Sequence, residues 1–116
     1  MKRYLYSLLA LGLLQGITAE AKAQSTYAFT TFDVPGATHV DTTATGINAS
    51  GQIVGYYLDI FNVVHGFLLD NGSYTTLDVP GSTGTWAYGI NDSGQIVGYY
   101  YDASGGQHGF LATPVP

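Results

Sequence analysis

The sequence predicts an all-β protein of two four-stranded antiparallel repeat units that resemble β-propeller blades, with an eight-strand β-sandwich as the alternative arrangement. Long stretches of sequence recur 43 to 45 residues apart, and a period in this range is typical of propeller blades. After residue 24 the chain is rich in Thr, Tyr, Val, Ile and Phe, which favour strands. Turn signals such as Asn71-Gly72 separate the short apolar runs.

Residues 1–23 have the pattern of a secretory signal peptide. A basic start at Lys2 and Arg3 precedes an apolar run of 13 residues over 5–17, and small residues flank Lys22 before Gln24. A helix that spans a membrane needs roughly 18 or more apolar residues, so a cleaved leader is favoured over an anchor. We therefore predict cleavage near Ala23, a mature domain over residues 24–116, and a secreted location, either extracellular or periplasmic.

The basic residues all lie in this leader, at Lys2, Arg3 and Lys22. Residues 24–116 contain seven Asp and neither Lys nor Arg, so their side chains carry a charge of −7 with histidine neutral. Such a surface cannot neutralise phosphates, which argues against nucleic acid as a partner. The same reasoning argues against binding to an anionic membrane after cleavage. The chain contains no cysteine, so disulfides do not stabilise this small domain.

Three segments of the chain occur twice. They are Thr30–Gly36 with Thr75–Gly81, Gly46–Tyr57 with Gly89–Tyr100, and His65–Leu68 with His108–Leu111. The offset is 45 residues for the first pair and 43 for the others, and the difference falls in a loop, where length changes are tolerated. Repeat 1 therefore covers about residues 30–68, and repeat 2 covers about residues 75–111.

Each repeat is expected to contain four strands. In the first copy we predict them at residues 43–48, 52–57, 65–69 and 74–79. Asn48 to Gly51 indicates a turn with glycine at positive φ. The pair Asn71-Gly72 indicates a tight hairpin.

The second strand is apolar on both faces, since Ile53 and Tyr57 alternate with Val54 and Tyr56. A strand of this kind is covered on both sides, so sheets are expected to stack on sheets. The mature chain is expected to begin with a fourth-type strand over residues 27–34, which would complete the last unit. Eight strands make two blades, whereas propellers typically have four to eight. A cyclic homo-oligomer and an isolated sandwich therefore both remain open.

The repeated motifs resemble a known family. Gly-Ile-Asn-x-x-Gly-Gln-Ile-Val-Gly-Tyr, then His-Gly-Phe-Leu, then Thr-Thr-Leu-Asp-Val-Pro-Gly are similar to the probable extracellular repeat of the HAF family. The likeness covers residues 30–111, and the name-giving His-Ala-Phe stands here as His-Gly-Phe at 65–67 and 108–110. The resemblance implies a bacterial, exported protein of unknown activity, with repeats usually in longer arrays.

His65 and His108 are equivalent candidates for a binding site, because neutral imidazoles bind metal ions. A strand-edge histidine that bonds a loop carbonyl once per repeat is the favoured interpretation. Asp33 and Asp78 suggest a hydrolytic or metal-dependent enzyme as an alternative. Symmetry gives these two carboxylates like environments, however, whereas an acid/base pair needs unlike ones.

Calcium is the one cofactor that the acidic composition suggests, and no other cofactor is expected. Asp59, Asp92 and Asp102 could supply oxygen ligands together with Asn48 and Asn91. The Asp-x-Asp-x-Asp-Gly loop typical of calcium sites does not occur in the sequence.

Aromatic residues are dense around the second strands, and exposed Tyr and Trp beside Asp and Asn are typical of sugar-binding surfaces. Packing between sheets is the favoured alternative for most of them. Trp86, which occurs in one copy and is predicted to lie in a loop, is the first candidate. Tyr57, Tyr100, His65 and His108 complete the candidate set.

These observations predict an exported, non-catalytic repeat module with a binding or scaffolding role and a polysaccharide or protein ligand. The enzyme described above is one alternative. A structural unit of a homo-oligomeric ring is another.

Overall fold

The computed structural model describes residues 25–38 and 41–116, so the predicted leader lies outside the described residues. The chain divides into two units, residues 1–31 and 32–116. In the first unit, residues 25–31 have no regular secondary structure. Within the described ranges no helix has the length and apolar character needed to cross a membrane. The remaining description concerns the second unit.

Sheet 1 has four antiparallel strands in the order β1-β2-β3-β4. They are β1 (Thr42–Ile47), β2 (Ile53–Leu58), β3 (Val64–Asp70) and β4 (Ser73–Leu77). Each strand boundary lies within two residues of its predicted position. The all-β class and the four strands predicted for the first repeat are therefore confirmed.

Sheet 2 has three antiparallel strands in the order β5-β6-β7. They are β5 (Gly84–Ile90), β6 (Ile96–Tyr101) and β7 (Gln107–Ala112). The prediction of a strand over residues 27–34 is wrong, because residues 25–34 form no strand and none of the described strands pairs with the outer edge of β7. Phe32 and Val34 instead pack against Phe67 and Tyr57 of sheet 1.

Tight turns at the predicted positions set the strand register. Asn71 and Gly72 have φ values of 51° and 81°, and positive φ at both positions is what a two-residue hairpin turn requires. In the turn after β1, Asn48 accepts the main-chain N–H of Gln52 on its side-chain oxygen at 2.9 Å. Gly51 follows with a φ of 84°.

The first two strands of each sheet share a β-bulge, which lies between Ala44 and Gly46 in sheet 1 and between Ala87 and Gly89 in sheet 2. A side chain at Gly55, beside the first bulge, would collide with the main chain of β1. This close approach explains why glycine interrupts the apolar alternation of β2.

One core cluster covers the first face of sheet 1. Val34, Tyr57 and Phe67 are buried there, and Phe32 and Tyr74 pack against them. Both aromatic rings meet Phe67 edge-on, with ring centroids 6.4 Å and 6.0 Å away. The segment that precedes β1 therefore closes this face of the sheet.

The other core cluster joins the two sheets. Val54 of sheet 1 packs with Ala87 and Ile96 of sheet 2, and Leu68 and Phe110 surround them. Val54 and Ala87 are 0 % exposed. Sheet 2 therefore covers the second face of sheet 1, as the two-sided apolar pattern of the second strand predicted.

Candidate functional site

The face of sheet 2 that turns away from sheet 1 exposes large apolar side chains, and we call it the free face. Side chains alternate along β6, so the burial of Ile96 against sheet 1 places Val97, Tyr99 and Tyr101 on the free face. Leu111 lies opposite Val97 in β7. Val97 is 50 % exposed and Leu111 is 61 % exposed, which leaves a contiguous apolar patch.

A row of aromatic rings runs along the β5 side of the free face and beyond it; we call these five residues, Tyr56, Tyr88, Tyr99, Trp86 and Tyr101, the aromatic row. Tyr88 lies 5.7 Å from both Tyr56 and Tyr99, measured between ring centroids. Tyr99 stacks on Trp86 at 4.9 Å, and Tyr101 meets Trp86 edge-on at 5.5 Å. A hydrogen bond with Tyr88 is the main cause that raises the pKa of Tyr56. The rings thus form one connected cluster.

Trp86 lies inside β5, which corrects its predicted position in a loop. One face of its indole stacks on Tyr99, and its six-membered ring lies so close to Gly84 that a side chain there would touch it. Threonine stands at the matching position of sheet 1, Thr43, which pairs with Tyr56 as Trp86 pairs with Tyr99. Trp86 therefore both packs on sheet 2 and helps to form the free face.

The two tyrosines of the candidate set lie on the opposite face from the aromatic row. Tyr57 is only 8 % exposed and belongs to the core that covers the first face of sheet 1. Its hydroxyl is hydrogen-bonded to Thr76 at 3.2 Å. Tyr100 lies beside His108 with ring centroids 5.2 Å apart, and Tyr57 lies beside His65 at the same distance. The structure therefore brings the tyrosines together with the histidines rather than with Trp86.

His65 lies between two carboxylates. Its Nε2 contacts Asp59 at 2.7 Å, and its Nδ1 contacts both oxygens of Asp78 at 2.9 Å. Burial lowers the pKa of His65, but the hydrogen bonds with Asp59 and Asp78 outweigh it and raise this pKa overall. The bond from His65 also lowers the pKa of the Asp59 carboxyl, and main-chain N–H groups of Val63 and Phe61 add to this. The imidazole thus links the loop after β2 to the chain that follows β4.

The second repeat has the same arrangement with one carboxylate fewer. Nε2 of His108 contacts Asp102 at 2.7 Å. This bond is the main cause that lowers the pKa of Asp102, and main-chain N–H groups of Gly106 and Ser104 contribute. The expected bond from each histidine to a loop carbonyl is therefore replaced by a bond to an aspartate six residues earlier.

The spacing between each aspartate and its histidine is a sequence signal for this contact that lies outside the His-Gly-Phe motif. Asp59 precedes His65, and Asp102 precedes His108, by six residues in both copies. In a domain without Lys or Arg, histidine is the side chain that can supply a cation to an aspartate. Between the ordinary pKa of Asp, 3.8, and that of His, 6.5, both partners of the His65–Asp59 pair are charged, because the raised pKa of His65 keeps the imidazole protonated and the lowered pKa of Asp59 keeps the carboxylate ionised.

Within the described ranges, no three His, Asp or Glu side chains are arranged to hold a metal ion. The described serines show no hydrogen bond to His65 or His108, whose side-chain partners are Asp59, Asp78 and Asp102. A nucleophile activated by a neighbouring base requires such a contact.

Comparison of the chain with protein-family models, with curated proteins and with solved structures gives no match.

Proposed function

We propose that the chain is an exported, non-catalytic repeat module whose free face is a binding surface with a scaffolding role. The exposure of Val97 and Leu111 carries this proposal, since both lie on the free face at 50 % and 61 % exposed. Their counterparts 43 residues earlier, Val54 and Leu68, pack against sheet 2. Contiguous exposed apolar patches mark interaction surfaces in proteins.

The histidine chemistry supports a non-catalytic role. Both imidazoles bond the carboxylate of the preceding loop in the same way, so the two copies repeat one structural contact rather than form one asymmetric site. Acid/base pairs need groups in unlike environments. The proposal therefore assigns these residues to loop bracing.

Export and array architecture follow from the sequence and are part of the proposal. The leader pattern over residues 1–23 supports secretion, and the resemblance to the HAF repeat supports an extracellular module. Two antiparallel sheets that pack face to face through Val54 and Ala87 support blade-like units.

Glycan recognition is the second candidate function, and the aromatic row favours it. Trp86, Tyr88 and Tyr101 are specific to the second repeat, where the first has Thr43, Thr45 and Leu58. Aromatic rings at a surface offer large, rigid contact area with a polar group at the rim. Tyr88, at 43 % exposed, is the most accessible of these three rings.

The proposal is tested by pull-down on cellulose, chitin and peptidoglycan, together with measurement of the native mass. We expect Val97→Asp to abolish binding to a polymer, or self-association, if the free face carries either of them. Ile60→Asp, at an exposed loop position, should leave both unchanged. Trp86→Ala should remove polysaccharide binding if the aromatic row carries it. A chain that binds none of the polymers and stays monomeric, or binding that survives Val97→Asp, would refute a role for the free face.

A further inference from the structure

In the interface between the two sheets, β5 of sheet 2 packs on a small group of residues of sheet 1. Strand β5 lies across sheet 1 at two glycines, since a Cβ on Gly66 would come within 3.4 Å of the Cβ of Ala87. A Cβ on Gly46 would lie 3.1 Å from the carbonyl oxygen of Tyr88. Val54 fills the space between them and is 0 % exposed. Two glycines and an apolar side chain thus form a seat for an incoming strand.

Polar contacts at the bulge and the turns fix the position of β5 on this seat. Thr45 donates its hydroxyl to the carbonyl of Ala87 at 2.7 Å. The side-chain amide of Asn48 donates to the carbonyl of Asn91 at 3.0 Å. The strand therefore docks in one register, and the residues that meet are separated by about one repeat.

The glycines and apolar side chains of this seat recur, uncovered, on the free face of sheet 2, where Tyr88 stands in place of Thr45. We call it the free seat; it consists of Gly89, Val97, Gly109 and Leu111, which follow Gly46, Val54, Gly66 and Leu68 by 43 residues. A Cβ on Gly109 would meet nothing nearer than an atom 3.8 Å away in its own sheet. Val97 and Leu111 are 50 % and 61 % exposed.

The matching half of the interface is also uncovered, on β1. Ala87 and Ile90 of β5 pack against sheet 1. Their counterparts on β1 are Ala44, which is exposed, and Ile47, which is 65 % exposed. We call Ala44 and Ile47 the free ridge. The molecule therefore presents one unfilled copy of each side of its own inter-sheet interface.

We infer that a second copy of this chain docks head to tail, with its free ridge on the free seat. This inference rests on the proposed function, because it names the partner of the free face. The ridge and the seat are different surfaces, so the contact is heterologous and leaves one seat and one ridge for further copies. Neither surface carries an ionisable side chain. Because each copy is acidic, added salt should strengthen association by screening repulsion between copies.

The inference is tested with two variants of the full chain, Val97→Asp in the free seat and Ala44→Asp in the free ridge. Val97 is 50 % exposed and Ala44 is also exposed, so the fold should survive both substitutions. Unfolding measurements at low protein concentration check this. By light scattering, wild type should form species larger than a monomer in a concentration-dependent way. Each variant should associate at least about 100-fold more weakly, because the contact would desolvate an unpaired carboxylate.

An equimolar mixture of the two variants is the decisive measurement. The Ala44→Asp chain keeps an intact seat and the Val97→Asp chain keeps an intact ridge, so together they should form a 1:1 dimer and nothing larger. Ile60→Asp, at an exposed loop position, should leave wild-type association unchanged. A wild type that is monomeric at every concentration, or a mixture that stays monomeric, would overturn the inference.

The variants Val97→Asp and Ala44→Asp also distinguish binding of a second copy from binding of a polysaccharide at the free face. If the free face binds a polysaccharide instead of a second copy, Val97→Asp abolishes binding to the polymer while Ala44→Asp has no effect on it. Loss of binding in both Val97→Asp and Ala44→Asp is expected only if the partner is another copy of the chain.

Discussion

Val54 and Val97 form a matched pair that measures how much inter-sheet packing contributes to stability. Both valines lie between Gln-Ile and Gly-Tyr on the second strand of their sheet, but Val54 is 0 % exposed and Val97 is 50 % exposed. Replacing valine by alanine removes two methylene equivalents, each worth about 0.8 kcal/mol when buried. In a packed interior the remaining cavity adds to this loss.

We therefore expect Val54→Ala to lower the free energy of unfolding by about 2–3 kcal/mol and Val97→Ala by less than about 1 kcal/mol. Urea unfolding at low protein concentration, followed by Trp86 fluorescence and far-UV circular dichroism, measures both. With a slope of about 1–3 kcal/mol per molar urea for a small domain, the two midpoints should differ by about 1 M.

The slope of the unfolding transition should be the same for both variants, since neither changes the surface exposed on unfolding. Equal losses of stability in the two variants would refute the reasoning, because they would mean that Val54 and Val97 have equivalent surroundings. Repeating the measurement at high protein concentration should raise the loss for Val97→Ala if a second copy covers it.

Three further predictions concern other contacts. Gly66→Ala should destabilise the chain, because the new methyl group would lie 2.9 Å from the carbonyl oxygen of Leu77 in β4, whereas Gly109→Ala should be tolerated; equal effects would contradict this difference in close approach. Thr45→Val should cost about 1 kcal/mol in urea unfolding, since it removes the hydroxyl that donates to the carbonyl of Ala87 in β5, and Thr45→Ser should recover most of it. The raised pKa of His65 means that its protonated form stabilises the fold below pH 6.5 and that this contribution is lost as pH rises through the folded-state value. His65→Asn should therefore lower stability more at about pH 5.5 than at about pH 8.5. An equal loss of stability at the two pH values would argue against the role of the two carboxylates that contact His65.

The strands were predictable because their boundaries depend on local turn chemistry. Asn71 and Gly72 adopt the positive φ values that their residue types favour. Asn48 and Gly51 likewise form the turn that their spacing indicates. These preferences act within a few residues and need no knowledge of the partner sheet.

The predicted strand over residues 27–34 failed because a strand depends on its neighbour as well as its sequence. Residues 75–77 form the end of β4 because β3 lies beside them and supplies the ladder. The nearly identical residues 30–32 have no preceding strand in the described chain, and Phe32 packs on a face of sheet 1 instead. Local sequence alone cannot distinguish these two situations.

The candidate site was predictable only in its composition. Val54 and Val97 have the same local sequence, but sheet 2 covers Val54, whereas no sheet of the described chain covers Val97. Their different burial therefore depends on how the two sheets pack. The position of Trp86 within β5 was available from the 43-residue offset, which aligns it with Thr43 of the predicted first strand. The pairing of His65 with Asp59 was available from the repeated six-residue spacing, whereas its contact with Asp78 depends on the fold.

The hydrogen bond from Asn48 to the main chain of Asn91 joins a residue to its own duplicate. Such a contact joins each repeat to the next one in the same way. Every further repeat added to the array would therefore form one more inter-sheet interface with residues that the repeat already contains. The number of exposed ends would stay at two however long the array became, and stability should then grow almost linearly with the number of units. A duplicated repeat thus packs on its neighbour through the existing contacts, so the protein can lengthen by duplication without a new type of interface.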